Sequence, residues 1–219
     1  MNISVSELNQ RLSKLYSSAV HDVLRDQGFT NFVLPTSIKP LHSSFKLFGP
    51  IFTIEGQLTN EHSNHETLIE WTKLLSSIPA NHVGVCQPHN NDIALMGELS
   101  AETLKKRNVS GYLVDGGCRD VAKIESLQFP VFCSFHSPKD VVGRWIPKKL
   151  GEPITIGDCL MTTGDYIFAD SDGAVIIPKA DVVNIVHLAE TVLSTENAVR
   201  SAIMAGMDPA KAYLTYGKF

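Results

Sequence analysis

The stretch from Gly111 to Phe135 constrains the fold of this chain more than any other. It reads GYLVD, then GGCRDVAKIESLQF, then PVFCSF. An apolar run, a glycine pair, a short segment of helical character and a second apolar run make a strand–helix–strand unit. Strands joined by such a crossover are parallel, and the crossover is right-handed in nearly all cases. The centre of the molecule is therefore expected to be an α/β sheet.

Further apolar runs bounded by Gly, Pro and Asn extend that sheet: IFTIE from Ile51, HVGVC from His82 and AVIIP from Ala174. Near the start, Leu8, Leu12, Leu15, Tyr16, Ala19, Val20, Val23 and Leu24 recur at helical spacing; Ser17 and Ser18 can divide the stretch in two, and Gly28 can stop it. From about Asp181 to Ala205, Val182, Ile185, Val186, Ala189 and Leu193 share a helical face, with Gly206 as the stop. After Val141, turn signals at Gly151, Gly157, Gly164 and Asp172-Gly173 separate short strands and predict a β-rich layer. The expected fold class is α/β, a layered α/β/β sandwich closed by terminal helices. With no linker or internal repeat, residues 1–219 are expected to form one domain.

Charge and cysteine usage narrow the function. A formal net charge of −4 without a long basic run argues against nucleic acid as a direct ligand. No apolar run has signal-peptide or transmembrane length, so no membrane association is expected. Cys86, Cys118, Cys133 and Cys159 are widely spaced and form no CxxC pair, which fits reduced thiols and a cytoplasmic location.

The chemistry is concentrated where the Gly111 strand runs into Gly116, Gly117, Cys118, Arg119 and Asp120. Ligand sites commonly lie beyond the carboxyl end of such a strand. The glycines are expected to let the backbone turn and a ligand approach closely, and Asp115 before them reads as a turn former. Arg119 can hold a carboxylate or enolate oxygen, and Asp120 suits a hard cation. The plainer alternative is that Asp120 merely favours a helix N-terminus while Arg119 lies in solvent. A second segment, Asn90 to Ser100, leads into a helix through Ala101, Leu104 and Arg107. Its N–H groups around Gly97, Leu99 and Ser100 would sit at a helix N-terminus, where a carboxylate is favoured. Glu98 is there either for chemistry or as a first-turn acid.

The run GELSAETLKKRNVSGYLVDGGCRDVAKIESLQFPVF resembles the signature stretch of RraA-like proteins, which include class II pyruvate aldolases acting on 4-hydroxy-4-methyl-2-oxoglutarate and 4-carboxy-4-hydroxy-2-oxoadipate. Those aldolases share an acidic residue, twenty intervening residues and then Arg-Asp; here these are Glu98, residues 99 to 118, and Arg119-Asp120. SSAVHDVLRDQG near Ser17, FGPIFTI at Phe48, DSDGAVIIP at Asp170 and ENAVRSAIMAG at Glu196 carry the resemblance over nearly the whole chain. It implies the RraA-like, swivelling-domain type of sandwich. It also implies that Asp120 ligates Mg²⁺ or Mn²⁺, that Arg119 contacts a substrate oxygen, and that amides near Gly97, Leu99 and Ser100 hold the carboxylate of a 2-oxo acid. Glu98 would contact metal-bound water, and Glu196 is the candidate for a C-terminal glutamate supplied by a neighbouring subunit. A homotrimer, or a homohexamer of two trimers with sites between subunits, is implied as well.

The expected activity is cleavage of a 4-hydroxy-2-oxo diacid to pyruvate plus a 2-oxo acid, with oxaloacetate decarboxylation as a side reaction. The same resemblance allows a regulator that binds ribonuclease E, or a lyase or dehydratase acting on a sugar-derived 2-oxo acid. A Schiff-base lysine is disfavoured, because Lys105, Lys106 and Lys123 fall in polar helical positions. The histidines form no HExxH motif, and His89 and His136 read as loop residues able to line a pocket. Cys118 reads as a small packing residue.

Overall fold

A computed structural model describes residues 3–218. Two N-terminal helices, α1 (Val5–Leu12) and α2 (Ser17–Asp26), lead through β1 (Lys39–Pro40) into the long strand β2 (Leu47–Leu58). Three strand–helix crossovers follow: α3 (Asn64–Ser77), β3 (Val83–Gln87), α4 (Glu98–Lys106), β4 (Gly111–Cys118), α5 (Val121–Leu127) and β5 (Val131–His136). Five short strands come next, β6 (Trp145–Leu150), β7 (Ile154–Ile156), β8 (Cys159–Met161), β9 (Tyr166–Ala169) and β10 (Ala174–Ile177). The long α6 (Val182–Met204) and α7 (Pro209–Tyr216) close the chain.

The main sheet runs β1-β5-β4-β3-β2-β9-β10, with β2 to β5 parallel and β1, β9 and β10 antiparallel to their neighbours. β2 organises it. One edge pairs Ile51–Glu55 with β3, while the other pairs Leu47–Pro50 with β9 and Ile54–Leu58 with β6.

Three apolar clusters follow from the two-residue alternation of the strands. Cys86, Tyr112, Val114 and Cys133 face α3, α4 and α5 through Trp71, Leu74, Leu104 and Ile124. From the opposite face, Val83, Val85, Leu113 and Phe132 pack on the β7-β8 hairpin and the inner side of β9-β10 through Ile154, Ile156, Met161 and Ile167. The outer side of that pair, Tyr166, Phe168, Val175 and Ile177, is covered by Leu12 of α1, Val20 and Leu24 of α2, and Ile185 and Val186 of α6. The layered α/β/β sandwich with terminal helices is therefore the observed architecture.

The division of the first helical stretch at Ser17 and the stops at Gly28 and Gly206 are also observed, both glycines having positive φ. Two readings need correction. Gly116 and Gly117 do not turn the chain; they lie within β4, and the segment Pro88–Ile93 fills the space that side chains there would need. Asp115 is likewise a strand residue, accepting hydrogen bonds from Gln87 Nε2 (3.0 Å) on β3 and Ser134 Oγ (2.9 Å) on β5. Among the described residues, no helix is long and apolar enough to cross a membrane.

Candidate active site

The site begins with the way residues 93–97 lie along the end of β4. Ala94 bridges to Gly117 in parallel register, Leu95 N–H donates to Gly117 O (2.8 Å), and Arg119 N–H donates to Met96 O (2.9 Å). A β-carbon on Gly117 would come within 2.7 Å of Ile93 O and 2.6 Å of the Phe135 ring, so only glycine permits this close approach. The consequence is positional: the N-terminus of α4 is delivered beside Arg119-Asp120.

Asp120 has φ +58, the left-handed region, and directly precedes α5. Its carboxylate does not cap α5. Instead it turns to α4, where Oδ2 accepts the Glu98 N–H at 3.1 Å. By their place in the first turn, the N–H groups of Leu99 and Ser100 have no acceptor within the helix, and the positive end of the dipole adds to their attraction for an anion. Gly97 makes the contact possible, because a β-carbon there would stand 2.8 Å from Asp120 Oδ2 and 3.1 Å from Arg119 Nε.

Arg119 is fixed from its far side. Its Nη1 lies 3.2 Å from Asp140 Oδ2 and its Nε 3.5 Å from Asp120 Oδ2, while Asp140 Oδ1 also accepts from Arg144 (3.1 Å). Lys123 Nζ stands 3.8 Å from Glu98 Oε1. Gly97, Glu98, Leu99, Ser100, Arg119 and Asp120, all singled out in the sequence, line one cavity of about 480 Å³. Glu196 is elsewhere on this chain: it sits on α6, where its carboxylate accepts the Tyr16 hydroxyl. Burial and that bond together push the Tyr16 phenol up to about 12.

The remaining lining was not foreseen. Leu68, Trp71 and Leu75 of α3 and Val141-Val142 of the loop before β6 line it with apolar groups, Thr72 and Ser76 of α3 add hydroxyls among them, and Asp140 joins the charged end. The Trp71 indole N–H donates to Ser100 Oγ (3.0 Å), tying α3 to the first turn of α4. His136 borders Arg119 and Asp120 on their opposite side, in a shallow depression with Ser137 and Pro138. His89 belongs to a different cluster, its Nε2 2.8 Å from Glu55 Oε1. Cys118 is fully buried, and its thiol is pushed up by its hydrogen bond with Cys133 and by burial, which suits packing rather than nucleophilic attack.

These residues fit a hard divalent cation. Mg²⁺ often takes only one or two protein carboxylates and fills its other positions with water and substrate oxygens. Asp120 and Glu98 supply oxygen donors, and the side-chain-free Gly97 leaves the space beside Asp120 open. No grouping of three or more His, Cys, Asp or Glu in ligand-like proximity exists among the described residues, so a closed all-protein cage is not the type of site on offer.

Known proteins share this architecture. The RraA-like family, described as Aldolase/RraA, matches residues 17–176. DlpA of Legionella pneumophila is 28% identical over 204 residues, which are 93% of this chain and 32% of DlpA; the chain thus spans about a third of that protein's length. A protein of Halalkalibacterium halodurans provisionally named 4-hydroxy-4-methyl-2-oxoglutarate aldolase is 26% identical over 202 residues, 90% of this chain and 89% of the relative. RraAS2 of Streptomyces coelicolor, described as an unusual member of the RNase ES inhibitor RraA family, superposes with a TM-score of 0.79 at 24% identity, covering 91% of this chain and 98% of its own. That last likeness is one of fold.

Proposed function

This chain belongs to the RraA-like family, and from that premise we propose that it is a divalent-metal-dependent lyase that cleaves a 4-hydroxy-2-oxo acid to pyruvate and a second carbonyl compound. The type substrate is 4-hydroxy-4-methyl-2-oxoglutarate, and oxaloacetate decarboxylation is a side reaction. The observation that carries this reading is the convergence of Glu98, Arg119, Asp120 and the first-turn amides of α4 on one cavity.

Asp120 would hold Mg²⁺ or Mn²⁺, and Glu98 would face the water around it. Such an ion supplies Lewis acidity that polarises the 2-oxo group. The N–H groups of Leu99 and Ser100 bind the substrate carboxylate, fixing the C2–C3–C4 segment against Arg119. Glu98 accepts the proton of the C4 hydroxyl as the C3–C4 bond breaks; C4 becomes a carbonyl, and the bonding electrons pass into the C2–C3 enolate. Arg119 stabilises the developing charge on the C2 oxygen, where a preorganised donor is most effective. A proton returned to C3 gives pyruvate. Loss of CO₂ from oxaloacetate leaves the same enolate, which accounts for the side activity. The proposal includes assembly into a trimer, or a hexamer of two trimers, in which Glu196 of a neighbouring copy completes the cavity.

The test is pyruvate release from 4-hydroxy-4-methyl-2-oxoglutarate and from oxaloacetate, read with lactate dehydrogenase and NADH, in Mg²⁺ or Mn²⁺ and then in EDTA. Metal-dependent release supports the lyase. No release from either substrate by the assembled protein overturns it in favour of an inhibitor of RNA processing or of another reaction on a sugar-derived 2-oxo acid.

A further inference from the structure

We propose that the Ser100 hydroxyl is a donor to the carboxylate of the bound 2-oxo acid, and that Trp71 of α3 is the positioning residue that aims it. The inference rests on the lyase reading above and deepens it, adding a side-chain donor and its support to the two amides of α4. The contact is made within one chain, from α3 to α4, so it is in place whatever a neighbouring copy or a divalent cation adds to the cavity.

The polarity of the Trp71–Ser100 bond is fixed by chemistry. An indole N–H can only donate, so in this 3.0 Å bond the serine oxygen accepts, and the hydroxyl proton is left to point elsewhere. A helical hydroxyl commonly turns back onto a carbonyl one turn before it, as Thr103 does onto Leu99 O at 2.7 Å. Ser100 does not. The corresponding carbonyls, Met96 O and Gly97 O, already accept the N–H groups of Arg119 and Ala101 at 2.9 and 3.0 Å. Among the described residues the Ser100 hydroxyl is an acceptor from Trp71 and a donor to none.

The cap of α4 leaves room for an anion beside that proton. The side chain at an N-cap ordinarily accepts the N–H of the second or third helical residue. Gly97 has no side chain to do so, and Asp120 takes the N–H of the first residue, Glu98. Leu99 N–H, Ser100 N–H and Ser100 O–H are thus three donors on one turn, and Leu99, Ser100 and Trp71 all line the cavity. Trp71 is 7% exposed and packs edge-on against Trp145 with 6.0 Å between ring centroids. A hydroxyl held by a buried ring loses little freedom when a ligand binds, and accepting one hydrogen bond strengthens the one it donates.

The test is the Kd of pyruvate for the assembled, Mg²⁺-loaded protein, measured by calorimetry, with each variant compared as the same assembly. Exchange of the pyruvate methyl protons for deuterium, followed by NMR, checks the premise. Ser100→Ala should weaken pyruvate about tenfold or more, the worth of a hydrogen bond to a charged group. The carboxylate is present in ground and transition states alike, so the loss in cleavage should fall on KM with kcat little changed. Ser100→Thr keeps the hydroxyl and should recover most of that loss. Trp71→Phe should weaken pyruvate in the wild-type background and have no further effect in the Ser100→Ala background, a non-additivity that a packing role alone does not produce. Unchanged affinity in Ser100→Ala overturns the donor assignment, and equal losses from Trp71→Phe in both backgrounds overturn the positioning role; either result leaves the lyase standing if exchange is seen. No exchange by the wild-type protein overturns the lyase reading and this inference with it.

Discussion

The Glu98 N–H donates to Oδ2 of Asp120, so the residue proposed to hold the metal also satisfies the first turn of α4. Asp120 adopts φ +58, a region Asn tolerates well and alanine does not. Asp120→Asn keeps an acceptor for Glu98 and the backbone preference, and should abolish metal-dependent pyruvate release with little change in Tm. Asp120→Ala loses both and should cost an additional ~1–2 kcal/mol of stability. Denaturant melts of the two variants beside the coupled pyruvate assay check this; an asparagine variant with full turnover would end the assignment of Asp120.

Gly97 has extended backbone, so replacing it introduces no conformational strain, only volume. The added β-carbon of Gly97→Ala meets Asp120 Oδ2 at 2.8 Å and Arg119 Nε at 3.1 Å. Relieving this overlap displaces the two site residues and costs about 1–3 kcal/mol. Turnover should fall at least as far as in the Asp140 variant below, with the circular dichroism spectrum preserved.

In the proposed reaction Asp140, which holds the Arg119 guanidinium, is a positioning residue. Asp140→Asn weakens the hold on the guanidinium, whose proposed contact with the enolate oxygen would be made in the transition state. Kcat and kcat/KM should therefore fall together by about 10- to 100-fold, the usual effect of losing an orienting partner, with KM little changed. Partial recovery in Asp140→Glu would separate orientation from general destabilisation. A selective rise in KM would place Arg119 in ground-state binding instead.

Acid stability follows from two carboxylates outside the site. Hydrogen bonds from Lys149 and then His89 hold the Glu55 carboxyl below its ordinary range, and Arg11, bonded at 2.8 and 2.7 Å, does the same for Glu190. Depressed folded-state values mean that this stabilisation is present above the unfolded glutamate value, about 4.3, and is lost as pH falls through the lower folded values. Tm should hold from pH 7 to 5 and drop below about 4.3. The drop should be shallower in Lys149→Met combined with Arg11→Met; an unchanged slope would remove these pairs as the cause.

How much of this was legible in the sequence varies with how local the determinant is. The terminal helices, the β4-α5-β5 unit and the Glu98, Arg119 and Asp120 set were readable, because helical periodicity and the glycine-flanked strand are written within a few residues. The wall of the cavity was not. It rides on α3, where the buried Trp71, Leu74 and Leu75 are interleaved with polar residues, although Ser63 and Glu66 form a reciprocal capping box that marks the helix start. The glycine pair was recognised but misread, since it serves a neighbour distant in the chain rather than a turn. Asp115 failed for the same reason: its partners Gln87 and Ser134 lie on other strands, and only sheet register brings them together. Asp140 carries no local signal, and its role emerges only when Arg119 and Arg144 reach it from two sides.

The double-edged strand β2 also sets the order in which the molecule can be made. Its parallel partner β3 follows shortly after it, but its other edge waits for Trp145–Leu150 and Tyr166–Ala169, so Leu47 is not paired until Ala169 has been synthesised. A growing chain that has passed α5 therefore carries the candidate-site residues on a sheet whose β2 edge is still open. Closure depends on contacts between residues far apart in sequence, which slows folding and leaves that edge available to other strands in the meantime. During synthesis, Glu98, Arg119 and Asp120 emerge well before the scaffold that fixes them is complete.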